Sequence, residues 1–255
     1  MSTVLASLPS PTSVFRRAMK MTWHDLLFIH WPVPAEKFRP LIPESLTLDT
    51  FEGEAWIGIV PFRMTGVTLH RFPSLPWLSA FPELNVRTYV MNGNKPGVWF
   101  FSLDAANPVA VAAARRFFYL PYFNAWMSLV DDGKSIFYQS RRTHRGVAPA
   151  SFEARYCPCG DIVASAPGSL EFWLTERYCL YAEDRRKNLW RTDIEHQHWP
   201  LQLAEADITD NSMTKWLGLE LPKTKPLLHF ARHMKVVAGL PQRLATGSES
   251  NAERA

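Results

Sequence analysis

Apolar and polar side chains alternate through residues 81–104 on both sides of Asn92-Gly93-Asn94. A two-residue period broken by residues that tolerate positive φ predicts an antiparallel hairpin. Leu84, Val86, Thr88 and Val90 share one face of its first strand, and Glu83, Asn85, Arg87 and Tyr89 share the other. That second face meets either water or a polar cavity. Residues 107–118 read as a short helix carrying Arg115 and Arg116, and then Tyr122, Asn124 and Trp126 alternate with Phe123, Ala125 and Met127 in a third strand.

The remaining elements read in the same way. Residues 22–31, rich in Leu, Ile, Phe and Trp, predict a strand ending at Pro32, and Pro34 opens a short helix that stops before Pro43. A second hairpin is predicted to turn near Glu52-Gly53, its second strand apolar on both sides, with Trp56, Gly58 and Val60 opposite Ala55, Ile57 and Ile59. Residues 68–80, with Pro73, Pro76 and Trp77, form a stiff loop suited to a lid or to packing. A third hairpin turns at Asp131-Asp132-Gly133, residues 151–158 form a strand, and Ser169 caps a helix ending at Leu174 or Thr175. Strand character resumes over 176–184, and residues 222–237 end in a strand that closes the sheet. Around ten strands and three short helices, mostly joined as hairpins, make an α+β fold of mostly antiparallel β: a closed or strongly curved, β-barrel-like sheet. One domain over 21–240 is expected, between a flexible arm at 1–20 and a disordered tail at 241–255.

With 47% hydrophobic and 20% charged residues, the 255-residue chain has the composition of a soluble globular protein. Its net charge of +4 is dispersed, and short clusters such as Arg141-Arg142 lack an aromatic-interleaved basic track, which argues against a nucleic-acid partner. No apolar run is long enough to cross a bilayer, and residues 1–20 lack the apolar core of a secretory signal. Three cysteines, an odd number, suit a reducing compartment, so a cytoplasmic protein is expected. Cys157-Pro158-Cys159 has one intervening residue rather than two and no second pair, which favours plain thiols over a zinc site.

Several chemically capable residues fall on these elements. Glu83, Asn85, Arg87, Asp104, Arg115, Tyr122 and Asn124 would make a polar site with apolar walls if curved strands bring them together, with His30 and Arg63 at its edge. Arg63 reads equally as a surface residue. His196 and His198 project from one face if their segment is a strand, which would suit two metal ligands, although no carboxylate stands in a fixed relation to them.

The order of residues in HWPVPAEKFRPLIPESLTLDTFEGEAWIGIVPFRM, PELNVRTYV, SLDAANP, ARRFFYLPYFNA, SLEFWLTERYCLYA and LLHFAR, spanning residues 24–237, resembles the YqjF-like family of the acetoacetate decarboxylase-like superfamily. The resemblance implies the barrel-like fold and a pocket. In the decarboxylases a proline precedes two lysines, one forming a Schiff base and the other lowering its pKa by like-charge repulsion. Here Pro121 is followed by Tyr122 and Phe123, neither of which forms an imine. The family's carboxylate matches Glu83, its helix arginine matches Arg115, and its N-terminal arginine falls near Trp31. Schiff-base decarboxylation is therefore not expected.

The leading expectation is a small-molecule site for a small carboxylate or β-dicarbonyl compound. Glu83, Arg115 and Tyr122 would be its acid–base groups, His30, Trp31, Arg63, Asn85, Arg87, Asp104 and Asn124 would bind the ligand, and no cofactor is needed. Any reaction would be proton transfer or hydrolysis, that of an acid–base lyase or hydrolase. The alternatives are a non-catalytic sensor or carrier, a metalloenzyme using His196 and His198, and Arg and Glu residues that only form structural ion pairs. Edge strands leave a homo-oligomer open.

Overall fold

The computed structural model describes residues 17–69 and 80–245. Among them, one sheet contains β1 (Arg17–Val33), β2 (Thr47–Leu48), β3 (Ala55–Leu69), β4 (Phe81–Asn92), β5 (Lys95–Ala105), β6 (Tyr122–Asp131), β7 (Ile136–Arg142), β8 (Ser151–Ala164), β9 (Cys179–Glu183), β10 (Leu189–Glu195), β11 (Pro200–Asn211), β12 (Leu227–Gly239) and β13 (Gln242–Arg243). Three short helices accompany it: α1 (Ala35–Phe38), α2 (Pro108–Phe117) and α3 (Leu170–Thr175).

Neighbouring strands run β5-β6-β7-β8-β11-β12-β1-β3-β4 and return to β5, so the mostly antiparallel sheet closes into a ring. It is not a simple barrel, because it forks at two strands. β5 pairs in parallel with β6 at Leu103, Asp104 and Ala105, but with β9 at Val98 and Trp99. β12 meets β11 near Phe230 and β10 near Ala238. Since β9 and β10 pair with each other, a second closure shares β12, β1, β3, β4 and β5 with the first.

That sharing explains why the common strands are buried on both faces along much of their length. Ile29, Trp31, Ile57, Ile59, Leu84 and Val86 enter the largest core cluster. Phe28, Val60 and Phe62, the alternating residues of β1 and β3, enter a second one with Trp199. β1 bends where Asp25 takes a φ of 56° and its register with β3 shifts between His24 and Ile29. The β4–β5 turn has Gly93 at its first central position with a φ of 57°, the backbone that glycine adopts without steric cost.

Several expectations need correction. The hairpin near Glu52-Gly53 is not a strand pair: β2 is two residues long and pairs with β4, leaving an isolated bridge between Phe51 and Glu54. β1 begins at Arg17, so the end of the expected arm joins the sheet, and β13 lies in the expected tail. The 68–80 loop lies largely outside the described residues, as do 1–16 and 246–255.

Candidate functional site

The two faces of β4 enter different interiors, and the polar one is buried. Glu83, Asn85, Arg87 and Tyr89 are all at most 9% exposed. Antiparallel register places Gly58 of β3 between His30 of β1 and Arg87 of β4. A Cβ at position 58 would stand 3.0 Å from His30 Nε2 and 3.3 Å from Arg87 Cγ, so a glycine there leaves room for both side chains.

Tyr122 reaches this interior through the crossover after β5. Asn107 caps α2, its side chain accepting from the Val109 and Ala110 amides, and Pro108 supplies a first-turn residue that needs no amide partner. The chain then turns at Tyr119, φ 58°, and the Leu103 amide donates to the Pro121 carbonyl, which sets β6 beside β5. From there the Tyr122 hydroxyl donates to Glu83 Oε2 at 2.9 Å. Burial pushes the Glu83 carboxyl up to about 8; the Tyr122 hydrogen bond pulls against this, and the charge of Asp104 adds to it. Burial likewise holds the Tyr122 phenol well above its ordinary range. At neutral pH the pair is an acid that carries its proton and a phenol that carries its own.

Farther along the same face lies a cationic cluster. His30 Nε2 and the Tyr89 hydroxyl are 2.6 Å apart. The Arg87 guanidinium lies over the Phe28 and Tyr89 rings, and that of Arg177 over Tyr89 and Trp173. Arg177 donates to Asp49 at 2.6 Å and to the Trp173 carbonyl at 2.7 Å, whereas Arg87 donates to the Leu174 carbonyl at a long 3.4 Å. α3, capped by Ser169, carries Trp173 and Leu174 onto this cluster. Burial and the nearby Arg87 charge keep His30 neutral, and burial does the same for His229.

The other expected site residues lie elsewhere. Asp104 faces away from Glu83, because register sets it opposite Leu84; it forms a fully buried ion pair with Arg142 at 2.8 Å. Arg115 is exposed, donates to the Tyr122 carbonyl at 2.6 Å, and lines a groove of about 550 Å³ with Phe100, Leu120 and Tyr181. Neither Glu83 nor Arg87 lines that groove, and the partner of Glu83 is a tyrosine rather than an arginine. Trp31 packs in the first core, and Arg63 is half-exposed on Asp25 at 3.5 Å. The Asn124 backbone is held by His144 and Thr143, while its Oδ1 is buried without a partner. Asn85 lies between Glu83 and Arg87, its Oδ1 also unpartnered.

His196 and His198 are not on a strand, since β10 ends at Glu195 and β11 starts at Pro200. His196 stacks on Tyr178, and His198 sits 3.3 Å from Glu176, a carboxylate already bonded by the Tyr178 hydroxyl and the Trp199 amide. Among the described residues no group of three His, Cys, Asp or Glu side chains is arranged to hold a metal ion. Sequence reasoning missed the roles of Arg177 and His229. Their signal was weak: alternation over 176–184 does not say which face is interior, and no local pattern marks His229 on β12.

Comparison with known proteins bears on the family and the fold. Residues 20–235 match the DUF2071 family, described as an uncharacterized conserved protein. The chain is 46% identical over 219 residues to the protein YqjF of Bacillus subtilis (strain 168), covering 86% of this chain and 89% of that one. Among solved structures, the acetoacetate decarboxylase of Legionella pneumophila superposes with a TM-score of 0.63 at 12% identity, over 94% of this chain and 93% of the other. The enduracididine biosynthesis enzyme MppR complexed with pyruvate gives 0.63 at 13%, over 96% and 99%. At such identities these structures establish a shared acetoacetate decarboxylase-like fold.

Proposed function

This chain belongs to the DUF2071 family, and we propose that the interior enclosed by its second closure binds a small carboxylate or β-dicarbonyl compound, with Glu83 as the proton donor. One observation carries this reading: a buried carboxyl group, raised to about 8, is hydrogen-bonded to Tyr122 at the position after Pro121. A protonated carboxyl in an apolar enclosure is suited to giving its proton to a ligand oxygen as negative charge develops there. The Tyr122 hydroxyl then stabilises the carboxylate left behind.

Covalent imine chemistry has no amine at this place. Tyr122 and Phe123 follow Pro121, and among the described residues no lysine is buried. The reaction class that remains is non-covalent proton transfer, as in an acid–base lyase or a hydrolase. A carrier or sensor is the second reading, because a protonated carboxyl also binds a ligand oxygen without any bond being made or broken.

The test uses gently purified protein with pyruvate and acetoacetate as probes, since MppR holds pyruvate. Binding should perturb the Glu83 carboxyl resonance in carbon-13 NMR, and borohydride should trap no adduct. An adduct, or a Glu83 signal indifferent to every probe, overturns the proposal. Turnover of a bound probe separates the enzyme from the carrier.

A further inference from the structure

Arg87 is a buried cation, and among the described residues no carboxylate forms an ion pair with it. The other two buried arginines differ. Arg142 holds Asp104 at 2.8 Å and Arg177 holds Asp49 at 2.6 Å. A charge taken out of water without a partner costs several kcal/mol, so its retention calls for a compensating anion.

The surroundings of Arg87 fit that anion. Arg87 Nε, Arg177 Nη2, His30 Nδ1, His229 Nδ1 and the Trp56 indole nitrogen are buried polar atoms without a hydrogen-bond partner. Four of them gather around Tyr89: both guanidiniums overlie its ring, His30 meets its hydroxyl and Trp56 packs against its cluster, while His229 lies beside His30, paired with Phe28 across β1 and β12. Arg177 is answered by Asp49, and the two histidines stay neutral. Glu171 of α3 acts on His229 but forms no ion pair with Arg87, so among the described residues the single charge of Arg87 is the one left without a carboxylate.

We propose that Arg87, Arg177, His30 and His229 form a subsite for a monoanionic carboxylate on the bound molecule. Arg87 presents the planar guanidinium fork that matches a carboxylate, and the Phe28, Tyr89 and Trp173 rings wall the subsite. Arg87 and Glu83 lie four positions apart on one strand face, about 13 Å along the backbone. A ligand that meets both groups therefore carries its carboxylate at one end and the oxygen that receives the Glu83 proton toward the other, with Asn85 between them, whereas a probe as short as pyruvate meets one of the two at a time. This subsite rests on the interior being a ligand site, but not on proton transfer by Glu83.

Thermal unfolding with benzoate, pyruvate or sulfate, each against sodium chloride of equal ionic strength, tests it. The two monocarboxylates should raise the wild-type Tm by several degrees near saturation, and sulfate by less. Arg87→Met should melt higher than wild type without added anion, because an unpaired buried cation has been replaced by an apolar side chain, and it should lose the carboxylate shift. Arg87→Gln is read the same way for the anion response should the methionine variant not fold. Equal shifts in wild type and variant, or no shift in wild type, overturn the subsite. Glu83→Gln should keep the shift, so an intact carboxylate response with no Glu83 perturbation would fault the proton-donor reading alone.

Discussion

The Tyr122 hydroxyl stands 2.9 Å from a Glu83 carboxyl group whose proton is retained to about pH 8. The unfolded chain releases that proton near 4.5, so between these values the folded state binds one more proton than the unfolded state. Stability from this group is complete below pH 4.5 and is lost as pH rises through 8. Urea unfolding should show wild type losing up to about 1.4 kcal/mol per pH unit across that window relative to Glu83→Gln, on the order of 3–5 kcal/mol in all. Parallel stability–pH curves for the two proteins would mean that the Glu83 carboxyl is not held protonated.

Tyr122→Phe removes the one interaction that draws the Glu83 value down. The Glu83 titration, followed by carbon-13 NMR, should therefore move upward, not downward. Unfolding free energy at neutral pH should fall by about 1–2 kcal/mol for the lost buried hydrogen bond. A downward shift would assign Tyr122 a role other than hydroxyl donor.

How much of this was legible beforehand depends on the range of the interaction. The β4–β5 hairpin, the Gly93 turn and the Ser169 cap are set by residues within a few positions, and the sequence pattern identifies them. The two-faced apolar character of β3 likewise pointed to a strand between layers. What alternation cannot supply is which face of a strand meets which distant partner. Asp104 is one position along in β5 from Leu103, the neighbour of Tyr122, and that single step sends it to Arg142 on the far side of the sheet. Arg177 finds Asp49 across 128 positions because the sheet forks at β5 and β12, and no local spacing encodes the fork.

Two glycines should respond to alanine in different ways. A Cβ at Gly97 would lie 2.7 Å from Cys179 Sγ and from a Tyr181 ring carbon, and 2.9 Å from the Cys179 carbonyl oxygen, so the β5–β9 pairing requires its absence. Gly97→Ala should force those strands apart and cost several kcal/mol in chemical denaturation, with loss of amide protection at Leu180 and Tyr181. Gly58→Ala meets the His30 ring and the Arg87 Cγ instead, at 3.0 and 3.3 Å, side-chain contacts that need a shift of only a few tenths of an ångström. Its stability loss should be smaller, about 1–3 kcal/mol, while the carboxylate-induced rise in Tm shrinks or disappears. Equal stability losses and an intact carboxylate response at Gly58→Ala would show that the space between His30 and Arg87 is not shaped for a ligand.

The buried Asp104–Arg142 pair gives the opposite contrast to Arg87, because here the charges answer each other. Arg142 donates Nε and Nη2 to the carboxylate at 2.8–3.2 Å and lies over the Phe123 ring at 4.4 Å. Burial raises the Asp104 value, and the hydrogen bonds and charge of Arg142 offset it. Asp104→Ala leaves a cation enclosed without its partner and should cost about 3–5 kcal/mol. Combining Asp104→Leu with Arg142→Met removes both charges from the interior and should recover most of that loss, since apolar replacements of a buried pair are often neutral. A double variant as unstable as Asp104→Ala would mean that the pair, and not the packing around it, fixes how β5 and β7 are held on either side of β6.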